Sequence, residues 1–66
     1  MKNFKPIEII RQLKRDGWYP AGGTGGGHIH FLHPTKKGKV IVPISKKEIC
    51  GNLLKSIEKQ AQLTFE

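Results

Sequence analysis

His28-Ile29-His30-Phe31-Leu32-His33-Pro34-Thr35-Lys36-Lys37-Gly38-Lys39-Val40-Ile41-Val42-Pro43 decides the architecture of this 66-residue chain. Successive side chains of a strand point to opposite faces, so Ile29 and Phe31 share one face and His28, His30 and Leu32 the other. Pro34 to Gly38 is turn chemistry, and Lys39-Val40-Ile41-Val42-Pro43 is a β-branched run closed by proline. The two runs therefore form an antiparallel hairpin. If Ile29 and Phe31 enter the core, His28 and His30 face water, while His33 falls in phase with the core face.

Upstream, Lys5 to Asp16 has a helical period. Pro6 suits a first helical turn, and Ile9, Ile10 and Leu13 form one apolar stripe, leaving Arg11, Lys14 and Arg15 toward solvent. Gly17 follows a cationic last turn, where a left-handed residue ends a helix. Trp18-Tyr19-Pro20-Ala21 reads as a short strand that Pro20 confines to an edge or an end of the sheet. Trp18 and Tyr19 are candidates to stack on bases, but adjacent strand residues point opposite ways, so at least one of them is core. Gly22 to Gly27, broken only by Thr24, reads as a loop or a loosely held hairpin turn.

Downstream, Leu54, Ile57 and Ala61 form a second stripe with Leu53 beside it, placing a helix from about Cys50 to Gln62. Ser45-Lys46-Lys47-Glu48 has capping-box spacing, whereas Gly51 and Asn52 favour a later start. Leu63 and Phe65 are expected to tuck back as a tail. The order helix, three strands, helix implies an α+β two-layer sandwich, with both helices on one face of a three-stranded antiparallel sheet. The opposite face would be open, carrying His28 and His30.

Composition narrows the function classes. Sixty-six residues make one domain, 1–66, with one modest core. Twelve Lys and Arg against five Asp and Glu give a net charge of +7, a field suited to a polyanionic partner. The single Cys50 excludes an internal disulfide and fits a reducing cytoplasm. The N-terminus lacks the apolar segment of a signal peptide, and no stretch approaches the roughly 20 apolar residues of a membrane span. A zinc site built from His28, His30 and His33 fails on geometry, because the third points to the other face. No cofactor is implied.

Glycines allow close approach of a phosphate, and histidine moves protons near neutral pH. A histidine directly after Gly25-Gly26-Gly27 in a basic protein points to chemistry on nucleic acid. Lys36, Lys37 and Lys39 at the hairpin, with Lys46 and Lys47 beyond it, are candidate phosphate contacts, as are Gly26, Gly27 and His30 around the histidine. Two other classes fit the same composition: a non-catalytic RNA-binding module, and an interaction subunit for an acidic partner.

Asp16-Gly17-Trp18-Tyr19, the glycine-histidine stretch ending in His33-Pro34-Thr35-Lys36-Lys37-Gly38, Val42-Pro43, and Leu54-Lys55-Ser56-Ile57 through Lys59-Gln60-Ala61 together resemble the HicA toxins of bacterial and archaeal toxin-antitoxin pairs. The resemblance spans nearly the whole chain. It implies a double-stranded-RNA-binding-like fold, cleavage of messenger RNA and a HicB antitoxin partner. A histidine suited to acid-base work leads us to expect that cleavage to proceed without a metal. Counting back from His33-Pro34, the family's catalytic histidine falls on His28, preceded by Gly26 and Gly27. Gly27 stands where that family commonly has serine, which leaves the source of any assisting hydroxyl open. The second proton-transfer group is equally open between His30, a lysine and water.

Overall fold

The computed structural model describes residues 3–24 and 27–66, with the side chains of residues 23 and 24 outside the description. Its elements run α1 (Pro6–Arg15), β1 (Tyr19–Thr24), β2 (His28–Leu32), β3 (Val40–Pro43) and α2 (Gly51–Ala61). The three strands form one antiparallel sheet in the order β1-β2-β3. The α+β order expected from the hydrophobic pattern is the order found.

α1 starts where Pro6 needs no hydrogen bond, and the Glu8 carboxylate reaches back to accept the Lys5 N–H at 2.9 Å. Its end is a Schellman turn. The Trp18 N–H donates to the Leu13 carbonyl at 3.0 Å and the Gly17 N–H to Lys14 at 3.1 Å. Gly17 sits at φ 104°, a conformation glycine takes without steric cost. Leu13 and Trp18 are both buried beneath this turn, so the chain reverses onto the sheet with its aromatic side chain inside.

β1 is longer than Trp18-Ala21 suggested. It runs from Tyr19 to Thr24, taking in part of the stretch read as a loop, because the free edge of β2 offers backbone partners that glycine accepts without a side-chain pattern. Pairing slips between Pro20–Phe31 and Gly23–Ile29, so Ala21 and Gly22 bulge opposite His30. Pro20 lies on an edge strand, as expected.

Ile9 and Leu13 of α1, Leu54, Ile57 and Ala61 of α2, and Phe31, Val40 and Val42 of the sheet all enter one buried cluster. Both helices therefore cover the same sheet face. Phe4 and Ile49 pair backbone to backbone, tying the chain entering α1 to the chain entering α2. The tail tucks in as anticipated: Phe65 is fully buried edge-on to Phe4, with ring centroids 6.3 Å apart. Gln12 and Glu66 exchange two hydrogen bonds of 3.0 Å between α1 and the tail.

α2 begins at Gly51 after an N-cap Cys50 that makes no side-chain capping bond. Ser45-Lys46-Lys47-Glu48 does not cap it. Ser45 belongs instead to a turn that begins at Ile44, and the backbone N–H groups of Ile44 and Ser45 both donate to the Gly27 carbonyl, at 2.8 and 3.3 Å. α2 ends on Gln62 in the left-handed region at φ 56°. The Gln60 amide oxygen accepts the Ile41 N–H at 3.1 Å, which satisfies a donor on the outer edge of β3.

Candidate functional site

The uncovered face of the sheet is assembled by register. His30 lies opposite Ile41, Leu32 opposite Tyr19, and His28 opposite Pro43, and residues directly opposite share a face. His28 is exposed and His30 half-buried on that face. The face also carries Tyr19, 48 % exposed, and Leu32, 38 % exposed. Of the aromatic pair, Trp18 is core and Tyr19 is free to stack. Two residues of extended strand separate the α-carbons of His28 and His30 by about 7 Å, close enough for one phosphodiester to lie between their rings.

His28 opens β2 at the end of the sheet where Gly27 meets the turn after β3. Gly27 has φ 85°, and a β-carbon built on it would lie 2.9 Å from the Ser45 β-carbon and 3.1 Å from its Oγ. A side chain at Gly27 thus has no room while Ser45 stands there. Ser45 was visible in sequence only as a helix-cap candidate, and nothing local signals that its hydroxyl lies against the residue preceding His28. Lys46 and Lys47 extend from the same turn, both exposed. Gly26 lies outside the described residues.

The five lysines divide between the two ends of the sheet. Lys46 and Lys47 belong to the His28 end. Lys36, Lys37 and Lys39 lie in the β2–β3 connection, one length of β2 away, about 15 Å for five residues. Lys37 and Lys39 are exposed there. Lys36 is engaged: its ammonium lies 2.6 Å from Asp16 Oδ2, 3.2 Å from the Ala61 carbonyl and 3.4 Å from that of Gln62. A cation among the last carbonyls of a helix interacts favourably with its dipole, so Lys36 joins the ends of α1 and α2.

His33 is set apart from the other two histidines. Its side chain is only 8 % exposed, and its ring packs edge-on to Trp18 with centroids 5.1 Å apart. Nδ1 accepts the backbone N–H groups of Thr35 and Lys36, both at 3.1 Å. That arrangement leaves the proton on Nε2, which donates to the Asp16 carbonyl at 2.6 Å. Its place in the turn is the one expected from its phase along the strand.

The geometry defines a class: a small α+β protein with a helix-covered sheet face, an open face bearing two histidines, and a cationic turn bonded to the glycine before the first of them. Within that class, the family model for the HicA toxin of bacterial toxin-antitoxin systems matches residues 8–63, and the chain belongs to that family. No curated relative matches the chain. Among the described residues, no helix is long and apolar enough to cross a membrane.

Proposed function

We propose that this HicA-family toxin is a ribonuclease that cleaves messenger RNA by acid-base catalysis at His28, and that a HicB antitoxin neutralises it. The observation that carries the reading is the position of His28, exposed at the end of the open sheet face where the Ser45-Lys46-Lys47 turn is bonded to Gly27. RNA would lie across the open face with its phosphates toward Lys46 and Lys47. Tyr19 offers an aromatic surface for a base.

In the reaction, the His28 imidazole takes the proton from a ribose 2'-hydroxyl. The 2'-oxygen attacks the adjacent phosphorus, the bond from phosphorus to the 5'-oxygen breaks, and that oxygen leaves with a proton. His30, two residues along the same face, is our candidate donor for the second transfer. General acid-base assistance contributes typically 10²- to 10⁴-fold for such a step. A hydroxyl is supplied beside Gly27 by Ser45, so a serine at residue 27 itself is not required for one to be present.

The test is incubation of the protein and its His28→Ala variant with single-stranded RNA in chelator. Fragments ending in 2',3'-cyclic phosphate that vanish in the variant support the reading. Intact RNA bound equally by both proteins overturns it in favour of a non-catalytic RNA-binding module. A HicB reading frame beside the toxin's own would support the partner.

A further inference from the structure

On the opposite side of β2 from His28, the first turns of α1 and the turn after β3 enclose a groove of about 490 Å³. Ile10 and Ile29 are half-buried in it and pack against the core, while Ile7 and Ile44 stand 57 % and 43 % exposed. Single exposed aliphatic residues are ordinary on a protein surface. Four isoleucines around one concavity are an apolar surface with a shape. Lys5, Lys46 and Lys47 line the same groove, and among the described lining residues none is acidic.

We infer that this groove is the docking site for an acidic amphipathic segment of a partner protein, whose apolar side chains sit between Ile7 and Ile44 and whose carboxylates meet Lys5, Lys46 and Lys47. Charge complementarity argues for that occupant. An apolar floor with an all-cationic rim matches the helix-in-groove mode of recognition, read through apolar anchors at helical spacing. Nucleic acid suits it less well. Bases bind proteins through flat aromatic or guanidinium faces, and branched isoleucine side chains offer none.

The groove has a consequence for the site, which rests on the function proposed above. Lys46 and Lys47 line the groove and are also the cations proposed to hold the RNA phosphates, so carboxylates bound in the groove would neutralise them. The occupant would then weaken RNA binding from the helix side of the sheet without touching His28.

The probe is a labelled peptide with leucines at positions i, i+3, i+4 and i+7 and glutamates elsewhere, titrated into the intact protein and read by fluorescence anisotropy. Saturable binding is expected, weakened about tenfold or more in the doubly substituted Ile7→Asp, Ile44→Asp protein and by a similar factor when the glutamates are lysines. The singly substituted Ile7→Asp protein, altered only at the more exposed position, serves if the double variant does not fold. Absence of binding, equal binding by the isoleucine variants, or equal binding of the lysine peptide overturns the inference. So does loss of single-stranded RNA affinity in the isoleucine variants, which would make the groove part of the RNA site. Self-association abolished by those substitutions would assign it to a second copy of the chain. No RNA cleavage is read, so a protein inert toward RNA leaves this experiment decisive.

Discussion

His33 and Asp16 are joined through the backbone of one and the ring of the other, Nε2 lying 2.6 Å from the Asp16 carbonyl at the end of α1. On its far side the same ring accepts two backbone N–H groups of the following turn. The imidazole thus stands in for a stretch of backbone hydrogen bonding, holding the α1–β1 corner against the β2–β3 connection.

Two histidines five residues apart should therefore fail in opposite ways. His33→Ala removes a nearly buried ring from Trp18 and leaves a carbonyl and two N–H groups without their partner. We expect a loss of about 2–3 kcal/mol, roughly a 10–20 °C lower Tm for a domain of this size. His28→Ala, at an exposed strand end, should change stability by less than about 0.5 kcal/mol while abolishing RNA cleavage. Thermal unfolding by circular dichroism and a cleavage assay on both variants check this. An active, stable His33→Ala protein would contradict the structural role.

The lysines should separate in the same manner. Lys36→Ala leaves Asp16 without its close cation and the last carbonyls of α2 without a donor, and is expected to cost about 1–2 kcal/mol. Lys46→Ala and Lys47→Ala should leave Tm unchanged and weaken single-stranded RNA binding. Each lost phosphate contact lowers the slope of log affinity against log salt by about 0.7. Titrations at several salt concentrations measure that slope directly. An unchanged slope would remove these lysines from the RNA site.

Gly27 and Ser45 should behave as a coupled pair. Gly27→Ser imposes a side chain at φ 85° and places its β-carbon 2.9 Å from that of Ser45. The left-handed backbone alone costs about 1–2 kcal/mol, and the close contact adds to it. Substituting Ser45→Gly in that background removes the contact but not the backbone strain, so partial recovery of Tm is expected. If the two substitutions are instead additive, the approach of residue 45 to residue 27 is not the source of the cost. Ser45→Ala in the parent reads whether the hydroxyl contributes to cleavage.

What could be read in the sequence had a period or a local turn rule behind it. The alternation from His28 to Phe31 placed two histidines on the open face, and Gly17 after Lys14-Arg15 marked a helix end that the Schellman bonds now explain. Glycines have no face, so the extension of β1 through Gly22 to Thr24 was decided by the edge of β2 rather than by any pattern in residues 22–24. Lys36 reads in sequence as one of several hairpin lysines that are candidate phosphate contacts. Its partner Asp16 is twenty positions away in sequence, and only the packing of the end of α1 against the β2–β3 connection brings the two together. Ser45 had the spacing of a capping box, yet two N–H groups of its turn were claimed by the Gly27 carbonyl, and the helix begins later.

Gln62 is where the chain pays most visibly for its geometry. It adopts φ 56° at the end of α2, its N–H donating to the Glu58 carbonyl, and Leu63 donates to the same carbonyl at 3.1 Å. The position ends a helix in the conformation glycine takes freely and other residues take at a cost. The reversal must be kept, because it carries Leu63 and Phe65 back onto the core and lets Phe65 accept its place against Phe4. Gln62 contributes only its backbone carbonyl to Lys36, at 3.4 Å, which glycine would retain. Gln62→Gly should therefore stabilise the fold by about 0.5–1 kcal/mol, the relieved strain exceeding the added entropy of the unfolded glycine. Urea denaturation should show a higher midpoint with an unchanged slope. A lower midpoint would mean that the Gln62 side chain holds the tail through contacts that outweigh the backbone strain.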